Sequence, residues 1–181
     1  MPASGKRLAR QPTLLRLREL GIELPEAPSP LGAYVPVAEM GDLLFLSGML
    51  PLTGGKLAFT GRFGEDLTVA QGREAARLAA LNALSVVNRY LPGLDRLKGV
   101  VRLGVSLATT GDFVEHASVA DGASELFAQI FGTDPGHTRL IYGVQSLPLG
   151  APLALEVIWR IDGSAECESA PYRKSAGEME A

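Results

Sequence analysis

The clearest periodicity in the chain runs from Gly99 to Thr110, "GVVRLGVSLATT", where Val101, Leu103, Val105 and Leu107 alternate with Arg102, Gly104 and Ser106. A period of two puts the first set on one face of a strand and the second on the other, as in a sheet buried on one side only. The same alternation closes the apolar part of the chain, where Leu153, Leu155, Val157 and Trp159 are interleaved with Ala154, Glu156, Ile158 and Arg160. A further strand is predicted from about Thr138 to Ser146, joined to this last one by "LPLG". Upstream, "AYVPVAEMGDLLFLSGML" holds two apolar runs around Gly41 and Asp42, which predicts a hairpin.

Two stretches follow the helical period instead. After "FGEDL", Thr68 and Gln71 have the spacing of a capping box, and Ala75, Leu78, Ala79 and Val86 form a dry face that ends at Pro92-Gly93. A second helix is predicted from about Asp112 to Ile130, with Phe113, Val119, Leu126 and Phe127 apolar and Gly132 near its end. A short helix over Leu14 to Leu20, stopped by Gly21, precedes the proline-rich connector "ELPEAPSPLG". The order strand, strand, helix, strand, helix, strand, strand predicts an α+β domain: one mixed sheet with two helices on one face. Residues 1–29 are read as an N-terminal extension, 30–162 as the domain, and 163–181 as a tail too poor in large apolar side chains to fold.

One residue interrupts this apolar pattern. Arg139 stands at the head of "RLIYGVQSLPLGAPLALEVIW". If Leu140, Tyr142 and Val144 face the core, then Arg139, Ile141, Gly143 and Gln145 lie on the far face, and a short turn would bring Arg139 diagonally beside Glu156. An exposed cross-strand ion pair there would contribute about 0–1 kcal/mol. The far face also carries Ile141, Gly143, Ala154 and Ile158, with Ala38, Leu44 and Leu46 as further candidates, so it is too apolar to be left to solvent. A closed symmetric self-association is the expected cover.

Composition narrows the chemistry. The chain has 181 residues, 46% hydrophobic and 20% charged, with a formal net charge of -3 and a pI near 5.4. That balance suits one globular domain and disfavours nucleic acid or an anionic membrane as partner. No stretch approaches the ~20 apolar residues of a membrane span. The lone Cys167 allows no disulfide within the chain, and His116 and His137 stand too far apart for the usual histidine spacings of a metal site, so neither metal nor cofactor is expected. The N-terminus places Lys6, Arg7, Arg10, Arg16 and Arg18 before its first acid, Glu19, without a secretory apolar core; a transit peptide and a flexible basic start both fit. A reducing, cytoplasmic setting is the simplest expectation.

Taken in order, "GAYVPVAEMGDLLFLSGMLP", the alanine-rich helix, "VVRLGVSLATTGDF" and "GHTRLIYGVQSLPLGAPLALEVIW" resemble the Rid (YjgF/UK114) family of reactive-intermediate deaminases, also called endoribonuclease L-PSP proteins. The resemblance spans roughly Pro30 to Ile161. It implies a chorismate-mutase-like fold, a homotrimer with sites in the clefts between subunits, and hydrolysis of 2-imino acids or enamines to 2-oxo acids and ammonia. It also implies that Arg139 holds the substrate carboxylate, that Tyr34 of "GAY" lies at the site, and that Ser47 and Gly48 of "LSGML" border the ligand together with Ile141. Where imine deaminases of the family carry a cysteine this chain has Ile141. Where they carry a water-positioning glutamate it has Ala154, and Glu156 follows as the candidate replacement. The alternatives are non-catalytic binding of a small carboxylate in the same cleft and, less favoured by the acidic chain, RNA cleavage or translation inhibition.

Overall fold

The computed structural model describes residues 12–133 and 136–163. The predicted tail from residue 164 onward, Cys167 and the basic residues Lys6, Arg7 and Arg10 lie outside them. In chain order the elements are α1 (Thr13–Glu19), β1 (Val37–Met40), β2 (Leu43–Met49), β3 (Leu52–Thr53), β4 (Lys56–Leu57), α2 (Val69–Tyr90), β5 (Leu97–Ala108), α3 (His116–Phe131), β6 (Thr138–Val144) and β7 (Leu153–Ile161). The main sheet has the order β1-β2-β7-β5-β6, with β6 parallel to β5 and the other pairings antiparallel. It is the mixed α+β arrangement that the sequence predicts.

Local chemistry accounts for the boundaries. Met40 and Leu43 close the first hairpin around Gly41, whose φ of 60° suits a tight turn. Gly54 and Gly55, both at positive φ, turn the small β3–β4 ribbon. Thr68 caps α2 with both halves of the capping box formed, and Thr68→Ala is expected to lower stability by about 1 kcal/mol in chemical denaturation. The second long helix starts at His116 rather than Asp112, because the intervening residues are spent on a turn in which the Phe113 amide donates to the Thr110 carbonyl.

The core lies between the helices and one face of the sheet. Leu153, Leu155, Val157 and Trp159 of β7 and Leu103, Val105 and Leu107 of β5 are buried there, with Phe127 edge-on to the Trp159 ring. Alanines on α2 (Ala75, Ala76, Ala79, Ala80 and Ala83) keep that helix close to its neighbours. The α1 helix joins the same core through Leu17, and its Thr13 hydroxyl donates to the Leu97 carbonyl.

Two face assignments and one strand pairing differ from expectation. Leu44 and Leu46 are buried under the helices, and it is Phe45 that joins Ala38 and Ile158 on the opposite face. Val101 is exposed because β5 is irregular against β7 between Val100 and Arg102, which breaks the alternation before Leu103. Most consequentially, β6 and β7 are not paired: β5 lies between them. The eight residues between Val144 and Leu153 step over the end of β5, where the Ala108 amide donates to the Pro152 carbonyl and the Thr109 amide to the Val144 carbonyl. A short connection implies adjacency only for a two-residue turn; this one is long enough to pass a strand.

Candidate functional site

With β6 registered in parallel on β5, Arg139 sits opposite Leu103 and Ile141 opposite Val105, so both point to the helix side of the sheet. Gly143 shares that side; a Cβ there would lie 2.7 Å from Nε2 of His116 on α3. The expectation that Arg139, Ile141 and Gly143 share the far face with Glu156 is therefore corrected. The residues that do share it with Glu156 are Leu140 and Tyr142. Inverting one strand's register parity moves its whole side-chain set across the sheet.

Arg139 is held by α3. Its Nη1 donates to Asp121 Oδ1 at 2.6 Å and to Ser124 Oγ at 3.1 Å, two residues one helical turn apart on the same face. Ser124 Oγ also lies 3.0 Å from His137 Nε2, and Asp121 is shared at 3.9 Å with Arg73 of α2, which is paired in turn with Glu125. The ion pair foreseen for Arg139 exists, but its partner is Asp121 and not Glu156. Strand alternation points only to cross-strand partners and so does not reveal Asp121 and Ser124; their D-x-x-S spacing on an amphipathic helix is the signal that does.

This arrangement leaves part of the guanidinium unused. Only Nη1 is engaged among the described residues, so the edge formed by Nη2 and Nε retains the planar fork that matches a carboxylate. The side chain keeps 25% of its surface exposed, on a strand whose outer edge has no partner among the described residues.

Burial pushes the His137 pKa down, and the Arg139 charge pushes it further in the same direction. A histidine whose folded pKa is depressed binds fewer protons folded than unfolded between the two values. Its effect is nil well above the ordinary histidine value and becomes destabilising as pH falls through it, levelling off below the folded pKa. The stability difference between wild type and His137→Gln is expected to shift against the wild type as pH drops from 7.5 to about 5. Parallel pH profiles from thermal melts would contradict this.

The remaining candidates lie elsewhere. Gly48 sits where β2 is irregular against β7, and nothing lies within 4 Å of a Cβ built on it. Ser47 is engaged structurally, its hydroxyl donating to the Val35 carbonyl at 2.7 Å. Tyr34 is exposed and its hydroxyl accepts from the Leu31 amide at 3.1 Å; with Gly48 it borders a narrow crevice between the proline-rich connector and β2. Glu156 and Ala154 lie on the uncovered face of the sheet, in a depression of about 210 Å³ that Gly48 also lines. Thus Tyr34, Gly48, Ala154 and Glu156 are on or near one side, whereas Arg139 and Ile141 lie on the other. Among the described residues no group of three or more His, Cys, Asp or Glu is placed to hold a metal ion, and no helix is long and apolar enough to cross a membrane.

Residues 15–159 match the family described as "YjgF/chorismate_mutase-like, putative endoribonuclease". The chain is 40% identical over 143 residues to Protein TCP17 of Trypanosoma cruzi, covering 78% of this chain and 89% of that one. It is 29% identical over 133 residues to the chloroplastic Reactive Intermediate Deaminase A of Arabidopsis thaliana, covering 74% of this chain and 61% of that one. A crystal structure of a "putative endoribonuclease" from Shewanella oneidensis superposes with a TM-score of 0.79 at 35% identity, over 83% of this chain and all of that one. The family match takes in α1 as well as the sheet and its two long helices, and on that extent the chain belongs to the YjgF/chorismate mutase-like family.

Proposed function

We propose that the chain hydrolyses small 2-imino acids, or their enamine tautomers, to 2-oxo acids and ammonia, at sites formed between copies of itself in a closed homotrimer. One observation carries this reading: the candidate residues stand at opposite edges of one sheet. Tyr34 leads into β1, and Gly48 lies beyond the stretch of β2 that β1 covers, whereas Arg139 and Ile141 are on β6. Gly48 is three inter-strand steps from β6, about 14 Å at the usual spacing, and opens onto the sheet face opposite to Arg139 and Ile141, so one small substrate does not touch both in a single chain. Two copies set head to tail bring one edge against the other, and a head-to-tail contact must close into a ring to avoid an open filament.

In that cleft the free edge of the Arg139 guanidinium takes the substrate carboxylate in bidentate fashion, with Asp121 and Ser124 fixing the plane of the fork. The unpaired edge of β6 offers backbone N–H groups beside it. Water adds to the imine carbon, and the resulting carbinolamine collapses with loss of ammonia as the C–N bond breaks and the carbonyl forms. The protein's contribution is mainly positioning. In this reading Tyr34 of the neighbouring copy orients the nitrogen end.

The test is ammonia release from 2-iminopropanoate or 2-iminobutanoate generated in situ, which should exceed spontaneous hydrolysis in proportion to protein concentration. Saturable 2-oxo acid binding with no acceleration would replace this reading with a non-catalytic carboxylate-binding one. The uncovered sheet face, with Phe45, Leu140 and Tyr142 exposed, supports the assembly; light scattering at micromolar concentration should report a trimer, and a monomer would contradict it.

A further inference from the structure

The hydrolysis proposed above consumes a water, and neither Ala154 nor Ile141 has a polar side-chain atom to orient one. Glu156 opens onto the side of the sheet opposite to Arg139. On the side that Arg139 and Ile141 share, two polar side chains from outside β6 reach Gly143, the next residue of that face. A Cβ there would lie 2.7 Å from His116 Nε2 and 2.8 Å from Thr109 Oγ1. The two atoms thus converge, and neither has a hydrogen-bond partner among the described residues. One water at about 2.8 Å from each bridges such a pair. The glycine permits this, because any side chain at position 143 would fill the space between them.

Both groups are held in place. The His116 ring lies against Phe113, with centroids 5.1 Å apart, and Phe113 packs in turn on buried Phe63. Thr109 is buried on the end of β5; its amide donates to the Val144 carbonyl and its carbonyl accepts from Arg62 Nη2, which leaves the hydroxyl to act. The spacing also suits the reaction. His116 is five residues from Asp121, the anchor of Arg139, or about 7.5 Å along the α3 axis. Gly143 is about 7 Å beyond Ile141 on β6. A carboxylate on Arg139, the adjoining imine carbon and a water about 3 Å from that carbon fill such an interval.

We propose, resting on the deaminase reading, that His116 activates the hydrolytic water, with Thr109 as the second anchor of the same water. With its ring proton on Nδ1, His116 takes a proton at Nε2 from the water as the water oxygen bonds to the imine carbon. The π pair of the C=N bond moves onto nitrogen, which then receives that proton. The products of the step are the neutral carbinolamine and a neutral imidazole, so no further reactant is needed.

Steady-state ammonia release from 2-iminobutanoate by the full chain and its variants tests this. His116→Gln should lower kcat by about a hundredfold with KM within about threefold of wild type, and calorimetric binding of 2-oxobutyrate should be unchanged. Thr109→Val should lower kcat by about tenfold, and Gly143→Ala by at least as much, because its methyl pushes the two groups apart. Added imidazole should restore at least about tenfold of the kcat lost in His116→Ala, measured over a protein-free control; a histidine that only packs the end of α3 would give no such rescue. If wild type accelerates ammonia release and His116→Gln keeps its kcat, or loses only in KM, the proposal is overturned and the deaminase reading stands. If wild type gives no acceleration, both fall. Should the His116 variants fail to fold, wild-type kcat in Thr109→Val and Gly143→Ala overturns the proposal.

Discussion

Arg139→Lys is expected to lose imine turnover almost as completely as Arg139→Ala, by about a hundredfold or more in kcat/KM, while melting within a few degrees of wild type. A lysine can keep the ion pair with Asp121, since a point charge at 2.6 Å from Oδ1 needs no particular plane. It cannot also offer a second, coplanar pair of donors to a substrate carboxylate. The charge-only explanation of Arg139 and the clamp explanation therefore diverge on this one variant. Near-normal turnover in Arg139→Lys would mean that Arg139 serves only to tie β6 to α3. Ser124→Ala should fall between wild type and Arg139→Ala, because it removes one of the two groups that fix the fork and leaves the other.

Gly122→Ala should give the largest loss of stability of any single methyl added to the protein's helices. A Cβ at Gly122 would lie 2.1 Å from the Arg73 carbonyl oxygen and 2.8 Å from its Cα, so backbone meets side chain where α2 and α3 cross. More than 1 Å of separation is needed to relieve that contact, and no flexible group is available to supply it. Overpacking of this kind costs about 3 kcal/mol, with the better helix propensity of alanine returning at most about 1. For a chain of this size each net kcal/mol lowers Tm by about 2–4 °C. The displacement also moves Asp121, the neighbouring residue on α3, and with it the Arg139 anchor, so turnover should fall further than stability alone explains. A variant that melts like wild type would show that the two helices are not in close contact at this point.

Which parts were legible in the sequence follows from the range of the interactions involved. The capping box at Thr68, the glycine turn at Gly41 and the alternation in β7 are local patterns, each complete within a few residues, and each appears where it is expected. In sequence, Gly122 reads as a weakness in a helix; in the fold it is where α3 lies directly against the α2 backbone at Arg73, which no local pattern encodes. The facing of β6 depended on which strand it pairs with, a choice between β5 and β7 made over long range. Apolar residues on both of its sides, Leu140 and Tyr142 on one and Ile141 on the other, left the alternation without a clear inside. Arg139 stands out in the sequence as an anomaly in an apolar run, but its partners Asp121 and Ser124 come from a helix 15 to 18 residues upstream. The convergence of His116 and Thr109 on Gly143 likewise needed a helix to be laid over two strands.

The central claim is that each site takes its residues from two copies of the chain, and mixing two inactive variants tests it directly. Gly48→Phe should block the cleft from one side without disturbing its own chain, since nothing lies within 4 Å of a Cβ there. Arg139→Ala removes the clamp from the other side. Each variant alone should be nearly inactive. When the two are dissociated together and reassembled in equal amounts, about one site in four should pair an intact Arg139 edge with an intact Gly48 edge, restoring about a quarter of wild-type ammonia release. If the reassembled mixture stays as inactive as its parents while forming trimers, the site lies within one chain and the account is wrong.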